Sequence, residues 1–388
     1  MKSRQRRMDR SLWSRLGSGL NVLSTTYRAA TKGSGFFVGF PLWHRLQTVI
    51  ACLSLINLLA ATTPYRVALP GYHYQFPRDH FNHPDFQTEW WYYTGNLKTA
   101  EGRRFGFELT FFRVGVDRKE QPAKVWDVRD VWMAHLALSD IDGNRFLSTE
   151  RFNRSGSGIA GADLAQARIW NGNWQTEWQP DFKSQTLTAI DEKFSFELTL
   201  KTEKPPVIHG ANGVSQKSEG AGQASHYISF TRLISTGAIV LDGKKFAVTG
   251  LSWMDHEFFT EQLSPQQSGW DWFSLQFDDG TELMLFRLRH EDGTADQFSA
   301  GTYVDRQGRA TALTRKDFTA IPGKMWTKYP VEWKIQVPSL AIDVSISTRL
   351  PQQELTGPVT YWEGAIEISG SRTGAGYLEM TRDVKLRM

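Results

Sequence analysis

The sequence predicts an all-β protein in which two tandem antiparallel β-barrels follow an N-terminal membrane-anchor helix. Three observations indicate this architecture. Runs that alternate apolar and polar residues dominate the chain beyond residue 70, one segment is repeated later in the chain, and residues 46–65 form an uncharged, largely apolar stretch. The 388 residues, 40% of them hydrophobic and 13% aromatic, are enough for one large core or two modest ones.

The strand prediction depends on runs of period two. Phe and Leu alternate with Arg, Gly, Glu and Thr over residues 104–111, and residues 194–200 show a similar alternation. This pattern is typical of a strand with one buried face. Asp-Gly pairs between the runs, as at residues 142–143 and 279–280, are hairpin signals. Because no long amphipathic helical pattern follows residue 70, we predict antiparallel sheets.

The segment WWYYTGNLKTAEGRRFGFELTFFR, which begins at Trp90, is echoed by WDWFSLQFDDGTELMLFR from Trp270. Trp90 matches Trp270 and Tyr92 matches Trp272, and each segment continues through a Gly-containing turn into a second strand. The repeat predicts two related β-domains. Since antiparallel sheets commonly avoid exposed edges by closing, we expect barrels, and a barrel of about eight strands holds one small apolar ligand.

The boundary between the two predicted domains lies in a segment rich in Gly and Ser. Residues 210–222 read GANGVSQKSEGAG, a composition typical of a loop or linker. The sequence therefore predicts an N-terminal domain over residues 70–222 and a C-terminal domain over residues 223–388.

Residues 46–65 predict a signal anchor. The stretch is about as long as a transmembrane helix, and its basic flank lies on the N-terminal side, which places residues 1–45 in the cytoplasm as a basic tail. No good cleavage site follows, so we expect an uncleaved anchor with the β domains exported. Lipidation of Cys52 and a buried helix of a soluble protein stay open as alternatives.

Charge and cysteine content exclude several classes of protein. The net charge of +4 arises from residues 1–46, which carry +8, whereas the remainder carries −4. A nucleic-acid-binding domain is expected to have its basic surface on the folded part, so we predict no nucleic-acid partner. One cysteine permits neither an intramolecular disulfide nor a thiolate metal cage.

No sequence motif predicts a cofactor. The chain has no phosphate-binding glycine loop, zincin helix, nucleophile elbow or dinucleotide fingerprint. His73, His80 and His83 are close in sequence, but without carboxylates at fixed spacing we interpret them as loop residues rather than metal ligands. We therefore expect neither a metal nor another cofactor.

The densest polar cluster, residues 253–258, gives the candidate catalytic residues. In a strand Asp255 and Glu257 lie on one face and His256 on the other. Asp271 follows in the repeated segment between two tryptophans. An ionisable group beside an apolar cavity has a perturbed pKa, so Asp255, His256 and Asp271 are candidates for acid or base catalysis. The alternative is that these groups hold one end of a barrel together through buried hydrogen bonds.

The candidate ligand-binding residues are mainly aromatic side chains next to these polar groups. Their rings are suited to the wall of an apolar cavity, but they would serve equally well in a core. The set comprises Glu89, Trp90, Trp91, Tyr92, His135, Trp253, Phe258, Trp270 and Trp272.

Six long motifs carry a family resemblance. They are FPRDHFNHPDFQTEWWYYTGNL from Phe76, GRRFGFELTFFR from Gly102, MAHLALSD from Met133, ASHYISFTRL from Ala224, GLSWMDHEFFTEQL from Gly250 and GWDWFSLQFDDGTELMLFRLR from Gly269. With them the chain resembles the two-domain lipocalin-like family that includes AttH-type proteins and the carotenoid 1,2-hydratases (hydroxyneurosporene synthases). The resemblance implies two lipocalin-like barrels, export across the inner membrane and, for the AttH-type branch, association with an ABC-transporter permease.

The hydratase branch implies acid-catalysed addition of water to an isoprenoid double bond. His256 and Phe258 match a His and an aromatic residue of the site proposed for that branch. The acid of that branch is an Asp near the strand that here reads MLFRLR, residues 284–289, and this strand has no Asp. Asp255 or Asp271 is a hypothetical substitute.

Three functions follow as expectations. The first is an exported, membrane-anchored lipocalin-like protein that binds a hydrophobic small molecule or lipid beside an ABC export system. The second is an isoprenoid hydratase, with Trp270 and Trp272 stabilising cationic character. The third is a non-catalytic structural adaptor. A cavity that reaches Asp255, His256 or Asp271 favours ligand chemistry, whereas filled barrels favour the adaptor.

Overall fold

A computed structural model describes residues 65–116, 118, 128–156, 158–357 and 360–382. The predicted basic tail, Cys52 and all of the predicted anchor except Tyr65 lie outside these residues. Within the described residues, no helix is both long enough and apolar enough to cross a membrane. The helical content is confined to two 3₁₀ turns, Arg78–His80 and Pro338–Leu340, so the all-β prediction is confirmed for this part of the chain.

The first sheet has 13 strands, all paired antiparallel, and is called barrel 1 below because it is nearly closed. Its strands are β1 (Thr88–Lys98), β2 (Arg104–Gly115), β3 (Asp130–Asp140), β4 (Arg145–Arg154), β5 (Ala160–Asp163), β6 (Arg168–Asn171), β7 (Trp174–Trp178), β8 (Ser184–Ile190), β9 (Phe194–Thr202), β10 (Val207–Ile208), β11 (Ser215–Gln216), β12 (Ala224–Leu241) and β13 (Lys244–Phe259). Side chains draw its two ends together: the Asn153 amide donates to Asn171 (2.6 Å), whose own amide donates to the carbonyl of Trp132 (3.4 Å).

The second sheet has 10 strands and forms a half-barrel, called barrel 2 below, so the expectation of two closed barrels holds only in part. Its strands are β14 (Gln267–Phe277), β15 (Glu282–His290), β16 (Ala300–Val304), β17 (Ala310–Thr314), β18 (Thr319–Pro322), β21 (Glu332–Val337), β22 (Ile342–Ser347), β23 (Glu354–Leu355), β24 (Tyr361–Gly370) and β25 (Gly374–Thr381). A separate hairpin of β19 (Met325–Trp326) and β20 (Tyr329–Pro330) completes the described strands.

The repeat seen in the sequence corresponds to a shared topology. In barrel 1 the first strand, β1, lies between β2 and the last strand, β13, and in barrel 2 the first strand, β14, lies between β15 and the last strand, β25. In each barrel the chain therefore ends by returning to pair with the strand on which it began.

The change of sheet falls between Phe259 and Gln267. Strands β12 and β13 follow the Gly-rich residues 210–222 in sequence, yet they pair within barrel 1, β13 with β1. Gly and Ser mark a loop, but composition does not show which sheet the next strand joins, because that choice depends on pairing with a distant strand.

Alternation along β1 separates two layers. Trp91 and Tyr93 point into the core of barrel 1, whereas Trp90 and Tyr92 point to the opposite side. There they pack with aromatic side chains of both sheets in what we call the inter-sheet layer. Its buried members are Tyr92, Tyr227, Trp253, Trp272, Met284, Phe286, Leu288, Ala365 and Tyr377.

The segment before β1, residues 65–87, packs over one end of barrel 1. The indole of Trp91 donates to the carbonyl of His80 (2.9 Å), and the His80 ring stacks on Trp178 with centroids 4.7 Å apart. These contacts hold Asp79 and His83 against the end of the barrel, next to the start of β1.

Candidate functional site

The structure divides the predicted site residues among three places. Asp255 and His256 point to opposite faces of β13, as expected for adjacent strand residues. The barrel 1 group is Glu89, Trp91, His256 and Phe258; the inter-sheet group is Trp90, Tyr92, His135, Trp253, Asp255, Trp270 and Trp272; and Asp271 lies in barrel 2.

In barrel 1 a carboxylate joins two histidines. Glu89, on β1, is fully buried, and its Oε1 accepts hydrogen bonds from His83 Nδ1 (2.7 Å) and His256 Nε2 (2.8 Å). Its Oε2 accepts from the backbone N–H of His83 (2.9 Å) and from Arg113 Nε (3.1 Å). A second carboxylate, Asp79, accepts from the remaining nitrogen of His83 (3.2 Å).

These contacts determine the charge of each group. Burial opposes ionisation of Glu89, but the positive charge of His83 and hydrogen bonds from His256 and His83 outweigh it, so the pKa of Glu89 is well below its ordinary value. Burial also opposes a charge on His83, yet Glu89 and Asp79 raise its pKa. For His256 burial dominates and lowers the pKa. The cluster therefore holds an anionic Glu89, a cationic His83 and a neutral His256.

The hydrogen bond to Glu89 fixes the tautomer of His256. A carboxylate only accepts, so Nε2 of His256 carries the proton and Nδ1 keeps a lone pair. Nδ1 is buried and has no hydrogen-bond partner in the described part of the chain. A base whose second nitrogen is oriented by a carboxylate is the arrangement that acid–base catalysis uses.

Aromatic rings surround this imidazole. His256 stacks on Trp91 with ring centroids 4.8 Å apart and planes 19° apart, and Trp91 stacks in turn on Trp132 at 5.8 Å. Phe258 lies 5.6 Å from His256 and stacks on His83 at 3.6 Å. The rings of Trp91 and Phe258 pack on protein groups and enclose the imidazole of His256 in apolar surroundings.

His83, Glu89 and His256 are also the residues that could hold a metal. Their ligand atoms lie within 4.8 Å of one another, and two His with one Glu is a donor set of catalytic zinc sites. The hydrogen bonds of 2.7 and 2.8 Å from the two histidines to Glu89 already explain why these three side chains lie close together. The Arg113 guanidinium also contacts Glu89, and its positive charge opposes binding of a metal cation there. Proton transfer explains this geometry with fewer requirements.

Asp255 lies in the inter-sheet layer. It accepts hydrogen bonds from the Tyr227 hydroxyl (2.5 Å), the Trp253 indole (2.6 Å) and the Ser229 hydroxyl, while the Trp272 indole donates to Tyr227 (2.9 Å). Burial raises the pKa of Asp255 to about 7 despite these donors. The hydrogen bonds fit the structural role that the sequence left open.

Three further carboxyl groups in this layer escaped the sequence analysis. Burial raises the pKa of Glu108 and of Glu379 to about 8, and it raises the pKa of Glu363 well above its ordinary value. The indole of Trp270 donates to Glu379 (2.9 Å), and His135 shares a hydrogen bond of 2.5 Å with the Tyr361 hydroxyl. Glu108 alternates with apolar residues on β2, a pattern that predicts a side chain exposed to solvent. The sequence does not show that the second sheet packs on this face.

Asp271 is held by three arginines. It accepts from Arg287 Nη1 (3.0 Å), Arg289 Nη1 (2.6 Å) and Arg382 Nη1 (2.9 Å), and its side chain is fully buried. The three guanidinium groups engage both oxygens of the carboxylate, which gives Asp271 a structural role at this end of barrel 2. The same arginines line a cavity of about 510 Å³ at one end of barrel 2.

The barrel 1 cluster shows which residues sequence reasoning missed. His83 was interpreted as a loop residue, and Arg113 and Asp79 were not selected. The only signal was the Glu that precedes the tryptophan pair, six residues after His83. His256 lies 167 residues from Glu89, so no local spacing shows the contact.

Comparisons with known proteins agree with this fold. The family described as AttH-like matches residues 67–382. The structure is similar to that of the AttH-type protein of Nitrosomonas europaea, with a TM-score of 0.72 and 31% identity over 82% of this chain and 100% of that one. No curated protein is similar enough to count as a match.

Kievitone hydratase from Nectria haematococca is a more distant structural relative. It has a TM-score of 0.61 and 16% identity over 82% of this chain and 97% of that one, a similarity that shows the fold alone. The family match and the Nitrosomonas structure together establish that the chain belongs to the AttH-like family.

Proposed function

We propose that this protein is a hydratase-like enzyme that adds water to a carbon–carbon double bond of an apolar small molecule, or removes water from an alcohol to form one. The observation that carries the proposal is His256. Its Nε2–H is held by the buried carboxylate of Glu89, its Nδ1 has no partner among the described residues, and aromatic rings surround it. The AttH-like fold, shared with a protein named as a hydratase, supports the same reaction class.

The reaction can be written with His256 as the single acid–base group. The imidazolium donates the Nδ1 proton to one alkene carbon, and the π electrons form the new C–H bond. The neighbouring carbon becomes cationic within the aromatic surroundings of His256, and the oxygen of water forms a C–O bond there. The resulting oxonium returns a proton to Nδ1, so one water is added and His256 is restored.

Two features of the cluster suit this cycle. A lowered pKa makes the imidazolium of His256 a stronger acid, as protonation of carbon requires. Glu89 stabilises the cationic form through the hydrogen bond at Nε2 and holds the ring in one orientation. Asp79 accepts hydrogen bonds from His83 and from Arg78, whose side chain is 50% exposed, and so holds His83 in place beside Glu89.

Oxygen-18 transfer tests the proposal. The full chain, in detergent, is incubated in oxygen-18-labelled water with geraniol or a prenylated phenol, and the products are analysed by mass spectrometry. We expect incorporation of one labelled oxygen per double bond, lost in His256→Gln. His209→Gln is the matched control, because His209 is also a fully buried histidine but bonds to Thr302 and Ser229. Equal incorporation in all three proteins would contradict the assignment.

The same experiment separates the second candidate function. A protein that binds a hydrophobic molecule or lipid without converting it would retain the alkene unlabelled, and the aromatic interior of barrel 1 is compatible with such binding. The anchored, exported location and the association with an ABC-transporter permease stay predictions from the sequence.

A further inference from the structure

The cavity of barrel 2 has one cationic wall and one apolar wall. Three arginines, Arg287, Arg289 and Arg382, form the cationic wall of this space of about 510 Å³. The apolar wall consists of Pro322, Met325, Pro330 and Trp333. The volume lies within the range of small-molecule sites, roughly 300–1,000 Å³.

The guanidinium groups are fixed in position before any ligand arrives. All three donate to Asp271, and further bonds hold each one. Arg289 Nη2 and Arg382 Nη1 donate to the Thr381 carbonyl, Arg287 Nη2 to the Gly293 carbonyl, and Arg382 Nη2 to the Met380 sulfur. The side chains are 13%, 6% and 17% exposed for Arg287, Arg289 and Arg382. Each guanidinium has five N–H donors, and these bonds occupy only some of them.

The charges at this end of barrel 2 do not balance. Three cations surround one buried carboxylate, Asp271. Of the other carboxylates here, the lining Glu291 is exposed to solvent and Asp296 lies 3.3 Å from the lining His290. Burial lowers the pKa of Arg289 to about 10. The positive charges of Arg382 and Arg287 also lower it, whereas the negative charge of Asp271 raises it. Partly buried cations in excess are stabilised when an anion joins them.

We propose that this cavity binds an anionic amphiphile, with a carboxylate or phosphate head on Arg287, Arg289 and Arg382 and an apolar chain against Trp333 and Met325. The arginines supply bidentate donors for such a head. Trp333 is buried, and its ring centroid lies 6.0 Å from Cζ of Arg287, so the apolar wall begins where the charged wall ends. This site is separate from His256 and does not depend on the hydratase proposal.

Calorimetric titration of the full chain with ligands of matched chain length tests the site. The ligands are decanoate, decyl phosphate, decanol and decyltrimethylammonium, together with acetate and inorganic phosphate. We expect at least one of the two decyl anions to bind about tenfold or more tightly than decanol and than its short counterpart. The tighter of the two identifies the head group, and its affinity falls as salt is added.

Two variants locate the binding. Arg287→Gln is expected to weaken the binding of that anion about tenfold or more. Arg309→Gln, on the matched control arginine that is 78% exposed and pairs with Asp305, leaves the affinity unchanged. If Arg287→Gln fails to fold, Met325→Glu serves instead, because Met325 is 52% exposed and a new carboxylate there repels an anion but not decanol.

Several outcomes would overturn the proposal. They are no measurable binding of either decyl anion, equal affinities for decanol and the anions, tight binding of decyltrimethylammonium, or an unchanged affinity in the Arg287 or Met325 variant. Acetate or inorganic phosphate binding as tightly as its decyl counterpart would assign the site to a free anion and reject the amphiphile.

Discussion

Barrel 1 and barrel 2 place different chemistry on the same strand positions. On β1 Trp91 pairs with His256 of β13, and at the matching position of β14 Asp271 pairs with Met380 of β25. Barrel 1 thus has a stacked imidazole and indole, whereas barrel 2 has a carboxylate beside a thioether.

The positions two residues earlier on β1 and β14 also carry different side chains in the two barrels. Glu89 pairs with Arg113 in barrel 1, and Gly269 pairs with Arg289 in barrel 2. Gly269 has a φ of +147°, and a Cβ there would lie 2.8 Å from Nη2 of Arg289. A side chain at this position would have to displace Thr381 and Arg289, and the carboxylate that Arg289 contacts is that of Asp271.

The comparison teaches that the repeat preserves the backbone and not the site. Pairing and alternation depend on main-chain hydrogen bonds and on which face is apolar, and both barrels satisfy these requirements. The chemistry depends on a few inward side chains at one end of each barrel, which can change without altering the sheet.

The largest effect is expected from His256→Gln. Loss of the acid–base group should lower kcat for hydration by about 10²–10⁴-fold, because proton transfer by a positioned side chain contributes that much. The rate is measured by oxygen-18 incorporation, with circular dichroism to check folding. Met380→His, which puts imidazole at the matching position of barrel 2, should add no activity. An unchanged kcat for hydration in His256→Gln would contradict the assignment of catalysis to barrel 1.

Glu89→Gln tests the ion cluster of barrel 1. The change leaves the fully buried Arg113 without its Glu89 counter-charge and replaces one of two accepting oxygens with an amide NH2, which donates. We therefore expect the free energy of unfolding to fall by about 3–5 kcal/mol. Urea denaturation measures it. Glu197→Gln, on an exposed glutamate of β9, is the control and should change stability little. A similarly small fall in the free energy of unfolding of Glu89→Gln would show that the ion cluster contributes little to stability.

Glu108→Gln tests the layer to which both barrels contribute. The pKa of Glu108 is about 8 in the folded protein and 4.5 ordinarily, so its contribution to stability is full below about pH 4.5 and is lost as the pH rises through 8. We expect the wild-type free energy of unfolding to fall between pH 5 and 9 by on the order of a few kcal/mol, and the variant to lose less. Parallel pH profiles for the two proteins would contradict this.

The last prediction concerns the pH dependence of catalysis. The pKa of His256 is lowered, so its acid form is scarce at neutral pH and becomes more abundant as the pH falls. Wild-type kcat/KM should therefore rise by up to about tenfold per pH unit on going from pH 8 to 6. A kcat/KM that rises with pH would indicate that neutral His256, and not its imidazolium, begins the reaction.

The sequence predicted the parts of this account that depend on local pattern. Alternation placed Asp255 and His256 on opposite faces of β13, and the match of Trp90 to Trp270 predicted the equivalence of β1 and β14. Barrel 2 as a half-barrel and the pairing of β12 and β13 within barrel 1 were not predictable, because closure and partner choice are decided by distant strands.

The candidate site was only partly predictable for the same reason. His256 and Glu89 were selected separately, but their contact joins strands far apart in sequence. Asp271 was selected as an acid because its immediate neighbours are tryptophans, whereas the arginines that neutralise it lie on β15 and just beyond β25. Glu363, on β24, is polar in an otherwise apolar run, and only the packing of one sheet on the other shows it to be buried.

Nitrogen-15 NMR of the full chain with labelled histidine tests the central claim most directly. At neutral pH we predict that Nδ1 of His256 gives the signal of an unprotonated imidazole nitrogen and Nε2 that of a protonated one, whereas both nitrogens of His83 are protonated. His256→Gln and His83→Gln assign the signals. A His256 that is protonated at Nδ1, as the other tautomer or as a stable imidazolium, would contradict the account.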